Sequence, residues 1–261
     1  MTGPHPTGSG RPEVDIRAYR GWLFDLDGVL TKTAEVHAAA WKQAFDGFLG
    51  QEAKRSGRTF APFDPVDDYQ RYVDGEPRAD GVRHFLAARG IELPAGADGD
   101  APDARTVAGL GNRKNDILLR VLRTSGVNVY PGAVALVKAL RSRGTPTAVV
   151  SASENTKAAL EAGGITELFD AVVDGHVVKQ RKLAGKPASD SYLEGARALD
   201  SPPCQSVVIE NALAGVEAGR AGHFGLVVGV DHHQHADQFR AHGADVVVTD
   251  LAELLGDTAA S

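Results

Sequence analysis

Apolar and polar positions follow two regimes along the chain. From residue 145 onward, short apolar runs alternate with helical spacings. Runs at 145–151 (TPTAVVS), 171–174, 206–210 (SVVIE), 224–228 and 245–248 predict strands. The apolar spacing within 133–143, 155–162, 189–198, 212–221 and 236–241 predicts the intervening helices. This alternation predicts a parallel sheet with helices on both faces. An earlier run, 21–25 (GWLFD), predicts a first buried strand that delivers Asp25 and Asp27 to its C-terminal end. The region after it is helical. Val36, Ala40, Ala44 and Phe48 fall at helical spacing within 33–49. Residues 50–68 read as loop or irregular helix, 69–89 as a helix broken around 74–80 (DGEPRAD), 93–105 as loop and 115–124 as helix. The block 34–126 therefore predicts an inserted helical domain. The rest divides into a tail (1–16), a core (17–33 and 127–255) and a short C-terminal tail (256–261).

Composition narrows the function. The chain is 43% hydrophobic and 24% charged, ordinary values for a globular protein. Its formal charge of −6 argues against general nucleic-acid binding, which calls for a basic face. Cys204 is the sole cysteine, so the sequence predicts no internal disulfide and no cysteine-based zinc site, and a reducing cytosol is expected. No apolar run approaches the length of a membrane span.

Four local motifs point to phosphoryl chemistry. Asp25-Leu26-Asp27-Gly28 places two carboxylates at a strand end, one to attack phosphorus and one to manage the leaving group's proton. An acidic turn is the plain alternative. Ser151-Ala152-Ser153 offers hydroxyls and N–H groups as a phosphate cradle, or an ordinary N-cap by Ser153. Lys186, before Pro187 at an expected helix start, offers a cation for phosphate oxygens, with Lys179, Arg181 and Lys182 as competitors. Glu210-Asn211 ends a strand where an acid, with Asp25, would hold a hard divalent cation. The His232-His233-x-His235 cluster reads as a solvated loop, because no further ligands accompany it.

In this order the motifs resemble the haloacid dehalogenase-like superfamily from about residue 17 to 255. The segments 33–41 (TAEVHAAAW), 72–86, 111–116 (GNRKND), 129–132 (VYPG) and 185–187 (GKP) resemble its β-phosphoglucomutase family. The resemblance implies a doubly wound, Rossmann-like α/β core with an inserted α-helical cap. It implies interconversion of β-glucose 1-phosphate and glucose 6-phosphate through an aspartyl-phosphate, with Mg²⁺ and glucose 1,6-bisphosphate as activator and intermediate. Asp25 matches the nucleophile and Asp27 the general acid/base. Ser151, Ala152 and Lys186 match the group that holds the transferring phosphate. Arg78 with Ser153 and Asn155 matches the distal-phosphate contacts, and Lys114 a lysine near the sugar. Trp41 and Gly75 fall among the substrate contacts, and His37 matches a histidine that orients Asp27. The metal ligands would be Asp25, the Asp27 carbonyl, Glu210 and residue 211. The expected partner is a small phosphorylated sugar, with no nucleic acid and no membrane, and the chain is expected to act as a monomer.

Two positions depart from the family pattern. Asn211 stands where an aspartate ligand is usual, which removes a full negative charge, and Lys32 stands where an acid is usual. Three activities remain open from the sequence. They are the mutase, a phosphatase using water to clear the same intermediate, and a weakened sugar-phosphate binder.

Overall fold

A computed structural model describes residues 14–73, 76–232 and 234–259. The chain divides into two compact units, residues 33–126 and the remainder. Strand β1 (Gly21–Phe24) comes first, and the helical unit follows with α1 (Thr33–Ser56), α2 (Asp67–Tyr72), α3 (Arg78–Ala87) and α4 (Val107–Ser125). The chain then continues through α5 (Pro131–Arg141), β2 (Thr147–Val150), α6 (Thr156–Ala162), β3 (Ala171–Val173), α7 (Gly175–Arg181) and α8 (Asp190–Ala198). It ends with β4 (Ser206–Glu210), α9 (Leu213–Ala221), β5 (Leu226–Val230), α10 (Ala236–Ala241), β6 (Val246–Val248) and a 3₁₀ segment, Leu251–Ala259.

The strands form one sheet in the order β3-β2-β1-β4-β5-β6, with every pair parallel. β1, β2, β4 and β5 are buried at every position. That explains their unbroken apolar runs, since strands covered on both faces do not alternate. Tyr192 and Ala196 of α8 join Leu23, Val150, Val208 and Val227 in one buried cluster. Gly195 lets α8 approach β1 so closely that a Cβ there would sit 2.5 Å from Leu23 Cδ2. The chain steps from β1 outward to β2 and β3, then returns to place β4, β5 and β6 on the other side. The order reverses between β1 and β4, and in such sheets ligands bind outside the strand ends at that point.

In the helical unit, α1 runs to Ser56, beyond the expected end at 49. Its buried side continues through Phe48, Leu49 and Glu52, and Glu52 receives hydrogen bonds from Arg55 and Arg105. α4 begins at Val107, eight residues before the expected start. Thr106 caps it, its Oγ1 accepting from Gly109 N at 3.0 Å. Trp41 and Phe45 of α1 stack, Phe45 also stacks on Phe85 of α3 with centroids 3.9 Å apart, and Phe63 meets Phe85 edge-on. Arg89 covers Phe85 at 3.9 Å and pairs with Asp68 at 2.5 Å.

Other expectations are corrected in the α/β unit. Ile16, placed in the N-terminal tail from sequence, is buried. Lys179 and Arg181, two of the competing cations, lie in a helix, α7, which the Asp174 carboxylate caps, and Lys182 follows at its C-terminal end. β5 starts two residues later than the apolar run suggested. Pro187 does not open a helix. It follows a cis peptide after Lys186, and α8 starts at Asp190.

Candidate active site

β1 ends at Phe24, and Asp25 follows it, held by a bond from its N–H to Ile209 O at 3.0 Å. Its side chain is nearly buried. The chain then turns sharply. Leu30 and Thr31 N–H groups both donate to Leu26 O at 3.0 Å, and Gly28 N–H donates to Thr31 O at 2.8 Å. Gly28 has φ +85°, a left-handed conformation suited to glycine. A Cβ at Gly28 would also lie 2.1 Å from Asn211 Nδ2, so the loop after β4 packs directly on this turn. Asp27, in the turn, is half-buried.

Lys186 meets Asp25 from a loop 161 positions away in sequence. Its Nζ donates to Asp25 Oδ1 at 2.6 Å and to Glu210 Oε1. The fully buried Glu210 is itself saturated. Oε1 accepts also from Tyr192 OH at 2.8 Å, and Oε2 accepts from the N–H groups of Asn211 and Ala212 at 3.1 and 3.0 Å. Four donors fill the roughly four acceptor positions of a carboxylate. Gly215, at the start of α9, makes room for this acid, because a Cβ there would lie 1.9 Å from Oε1. The competing cations Lys179, Arg181 and Lys182 are exposed, and Arg181 pairs with Glu194 at 2.9 Å.

One ammonium is thus divided between two buried carboxylates. Burial pushes the Asp25 carboxyl up to about 8; Lys186 pulls it down, while Glu210 and Asp27 push it further up. Burial also opposes the Lys186 charge, but Asp25 and Glu210 outweigh it and hold the ammonium above its ordinary range. Burial, then Glu210, holds the Tyr192 phenol well above its usual value.

At the end of β2, Ser151 Oγ accepts from Ser153 N–H at 3.1 Å, and Ser153 Oγ accepts from Asn155 N–H at 3.2 Å. Ser153 does not cap α6. Asn155 occupies the cap position, without a side-chain cap bond.

Among the described residues, no group of three or more His, Cys, Asp or Glu side chains is placed to hold a metal ion. Oxygen donors of the right kind for Mg²⁺ are nevertheless carried by neighbouring segments: the Asp25 carboxylate and Asp27 carbonyl by the turn after β1, and the amide oxygen by Asn211, whose side chain lies against Gly28 of that turn with Nδ2 nearest. One carboxylate with neutral oxygens and waters suits this cation, which keeps much of its hydration. Glu210, expected as a ligand, has its acceptor positions filled by protein donors instead.

Within the helical unit, the expected substrate residues cluster. Buried Lys114 donates from Nζ to His37 Nδ1 at 3.3 Å and lies 5.1 Å from the Trp41 ring centroid. Arg78 packs on Gly111, one turn before Lys114 on α4, where an added Cβ would lie 3.2 Å from Arg78 Cδ. Gly75 and His233 lie outside the described residues. Sequence reasoning missed Tyr192 and gave His232 no role. The AGVEAG run at 214–219 was the available signal that β4 and α9 pack closely.

The haloacid dehalogenase-like hydrolase family profile matches residues 19–223. A β-phosphoglucomutase from Mycobacterium bovis is 50% identical over 253 residues, 94% of this chain and 97% of that protein. A longer Mycobacterium tuberculosis protein, called an uncharacterized glycosyl hydrolase, is 38% identical over all of this chain and 19% of its own length. The crystal structure of CbbY from Rhodobacter sphaeroides with xylulose 1,5-bisphosphate shares the fold at TM-score 0.68 and 22% identity, covering 90% of this chain and 96% of that one. This chain is an enzyme of the haloacid dehalogenase-like superfamily and belongs to its β-phosphoglucomutase family.

Proposed function

We propose that this enzyme interconverts β-glucose 1-phosphate and glucose 6-phosphate, passing a phosphoryl group through Asp25 with glucose 1,6-bisphosphate as the bound intermediate. The observation that carries the chemistry is the Lys186 bridge between Asp25 and Glu210 at the switch point of the sheet. Lys186 holds one Asp25 oxygen, which leaves the other to attack phosphorus. As that P–O bond forms and the bond to the sugar oxygen breaks, the electron pair goes to the sugar oxygen, which takes a proton from Asp27. In the return step Asp27 accepts the proton of the incoming sugar hydroxyl. Ser151, the Ala152 N–H and Lys186 steady the phosphoryl oxygens as charge spreads over them. Mg²⁺, held by Asp25, the Asp27 carbonyl and Asn211, would neutralise phosphoryl charge when bound.

The contacts of Lys114 with His37 and Trp41, and of Arg78 with Gly111 one turn earlier on the same helix, favour a mutase over a hydrolase. A mutase needs a second set of cationic groups for the far phosphate, and the arginine fork suits that role. The reading gives phosphate contacts to Ser153 and Asn155 in the α/β unit, and in the helical unit a phosphate contact to Arg78 and sugar contacts to Lys114, Trp41 and Gly75. The name of the 50% identical relative supports the same substrate. The enzyme would act as a cytosolic monomer. Its one cysteine is free and exposed, and no helix among the described residues is long and apolar enough to cross a membrane.

Phosphorus NMR of β-glucose 1-phosphate with enzyme, Mg²⁺ and a trace of bisphosphate tests this directly. Glucose 6-phosphate should accumulate. Inorganic phosphate as the sole product would reassign the chain to the phosphatases.

A further inference from the structure

The histidine-rich segment after β5 holds one residue that the proposed reaction leaves without a role. His232 Nε2 lies 2.7 Å from the Gly28 carbonyl oxygen, a partner 204 positions away in sequence. The carbonyl carries no proton, so Nε2–H donates, and this bond sets the ring's tautomer. β4 lies between β1 and β5, so the segment reaches across the C-terminal edge of the sheet to make the contact. The imidazole is otherwise exposed, and solvent competes for it. It is kept in place by lying flat on Tyr130, with centroids 4.8 Å apart and planes 10° apart. Lys32 Nζ stands 5.2 Å from the centroid of the same tyrosine ring. Tyr130 is tied to the turn by its N–H to Leu30 O at 3.0 Å, and Lys32 N–H donates back to Asn128 O at 2.8 Å, so the two segments run together.

Gly28 is therefore held on three sides. Its N–H, which shares a peptide plane with the Asp27 carbonyl, is bound by Thr31 O. Its Cα is covered by Asn211. Its own carbonyl is bound by His232. Of these three, only the last comes from the segment after β5.

We propose that His232 is a positioning residue for the acid/base step. By holding the Gly28 carbonyl it fixes the turn that aims the Asp27 side chain at the oxygen leaving or entering at phosphorus. The inference rests on the reading of Asp25 as nucleophile and Asp27 as acid/base. It implies that the contribution of His232 depends on the leaving group. A sugar oxygen departs as a poor leaving group and needs the proton of Asp27. The carboxylate released from an acyl phosphate does not.

The test compares His232→Phe, which keeps a flat ring on Tyr130 and loses the donor, with His232→Gln, which keeps an N–H donor. Rapid-quench phosphorylation of the enzyme is measured with labelled acetyl phosphate and with labelled glucose 1,6-bisphosphate, alongside thermal unfolding. With the bisphosphate, His232→Phe should be slowed about tenfold, a fraction of the 10²–10⁴ that acid–base catalysis supplies. With acetyl phosphate it should stay within about twofold of wild type, and His232→Gln should recover most of the lost rate with the bisphosphate. A His232→Phe enzyme as fast as wild type with both donors, or slowed equally with both, overturns the inference. So does a His232→Gln enzyme no faster than His232→Phe. A wild-type enzyme labelled by neither donor would remove the proposed function, and this inference with it.

Discussion

Replacing Tyr192 with phenylalanine isolates one hydrogen bond in the most buried part of the site. The ring would stay in its cluster with Leu23, Val150 and Ala196, and only the hydroxyl would be lost. That hydroxyl donates to Glu210 Oε1 at 2.8 Å, and the acid is fully buried, so no water replaces it without rearrangement. A hydrogen bond to a charged group contributes about 1.5–3 kcal/mol. For a chain of this size that is a fall of roughly 3–12 °C in the unfolding midpoint, at about 2–4 °C per kcal/mol. The catalytic effect should run through Lys186. With one donor gone, Glu210 is freer to move, and the ammonium it shares with Asp25 is less well placed. A fall in kcat of about tenfold, equivalent to 1.4 kcal/mol, is expected with KM little changed, because Tyr192 is assigned no substrate contact. Differential scanning fluorimetry and steady-state kinetics on the same preparations would measure both. A Tyr192→Phe enzyme with wild-type midpoint and wild-type kcat would refute the claim that this hydroxyl supports the Lys186–Glu210 pair.

Three further outcomes are expected. Gly215→Ala would set a methyl 1.9 Å from Glu210 Oε1, so it should cost turnover more than Gly47→Ala, a helical glycine with nothing near it; paired kcat measurements decide this. Asn211→Asp restores a full charge beside Gly28 and should tighten Mg²⁺ binding about tenfold, or 1.4 kcal/mol, in calorimetric titration, and an unchanged affinity would take residue 211 out of the ligand set. Hydrogen bonds from Arg55 and then Arg105 hold the Glu52 carboxyl at about 2, below its ordinary 4.5. A lowered acid stabilises the fold above its unfolded pKa, and that stability is lost as pH falls from 4.5 towards 2. Both arginines are well exposed, so the contribution is about 1–2 kcal/mol after screening. Urea midpoints of Glu52→Gln should lie below wild type at pH 7 and close most of the gap as pH falls from 4.5 towards 2; a constant difference across that range would rule out this linkage.

The sheet was legible because its strands are buried on both faces, and continuous runs such as SVVIE have few other uses. The turn at Asp25–Gly28 was legible for a related reason, since two acids and a glycine at the end of such a run leave little room for another local structure. The helical unit was harder to read. α1 passes through Gly47 and Gly50, and its buried Glu52 looks like a loop charge until Arg105, 53 positions away, is known to meet it. α4 hid its first two turns behind Gly109 and Gly111. Tyr192 sat in an expected helix, but periodicity shows only that it faces inward, not that its hydroxyl finds Glu210. His232 was read as solvated because its partner is a backbone carbonyl, which no residue type announces. For Glu52, Tyr192 and His232 the missing information is a contact distant in sequence, and local pattern does not encode it.

The central claim is that Asp25 becomes phosphorylated. Enzyme quenched during turnover of labelled glucose 1,6-bisphosphate and reduced with borohydride would convert an aspartyl-phosphate to homoserine, which peptide mapping locates. Homoserine at position 25, absent from Asp25→Asn, is the predicted result. Homoserine at another acid, or none while sugar phosphate is still being converted, would contradict the account.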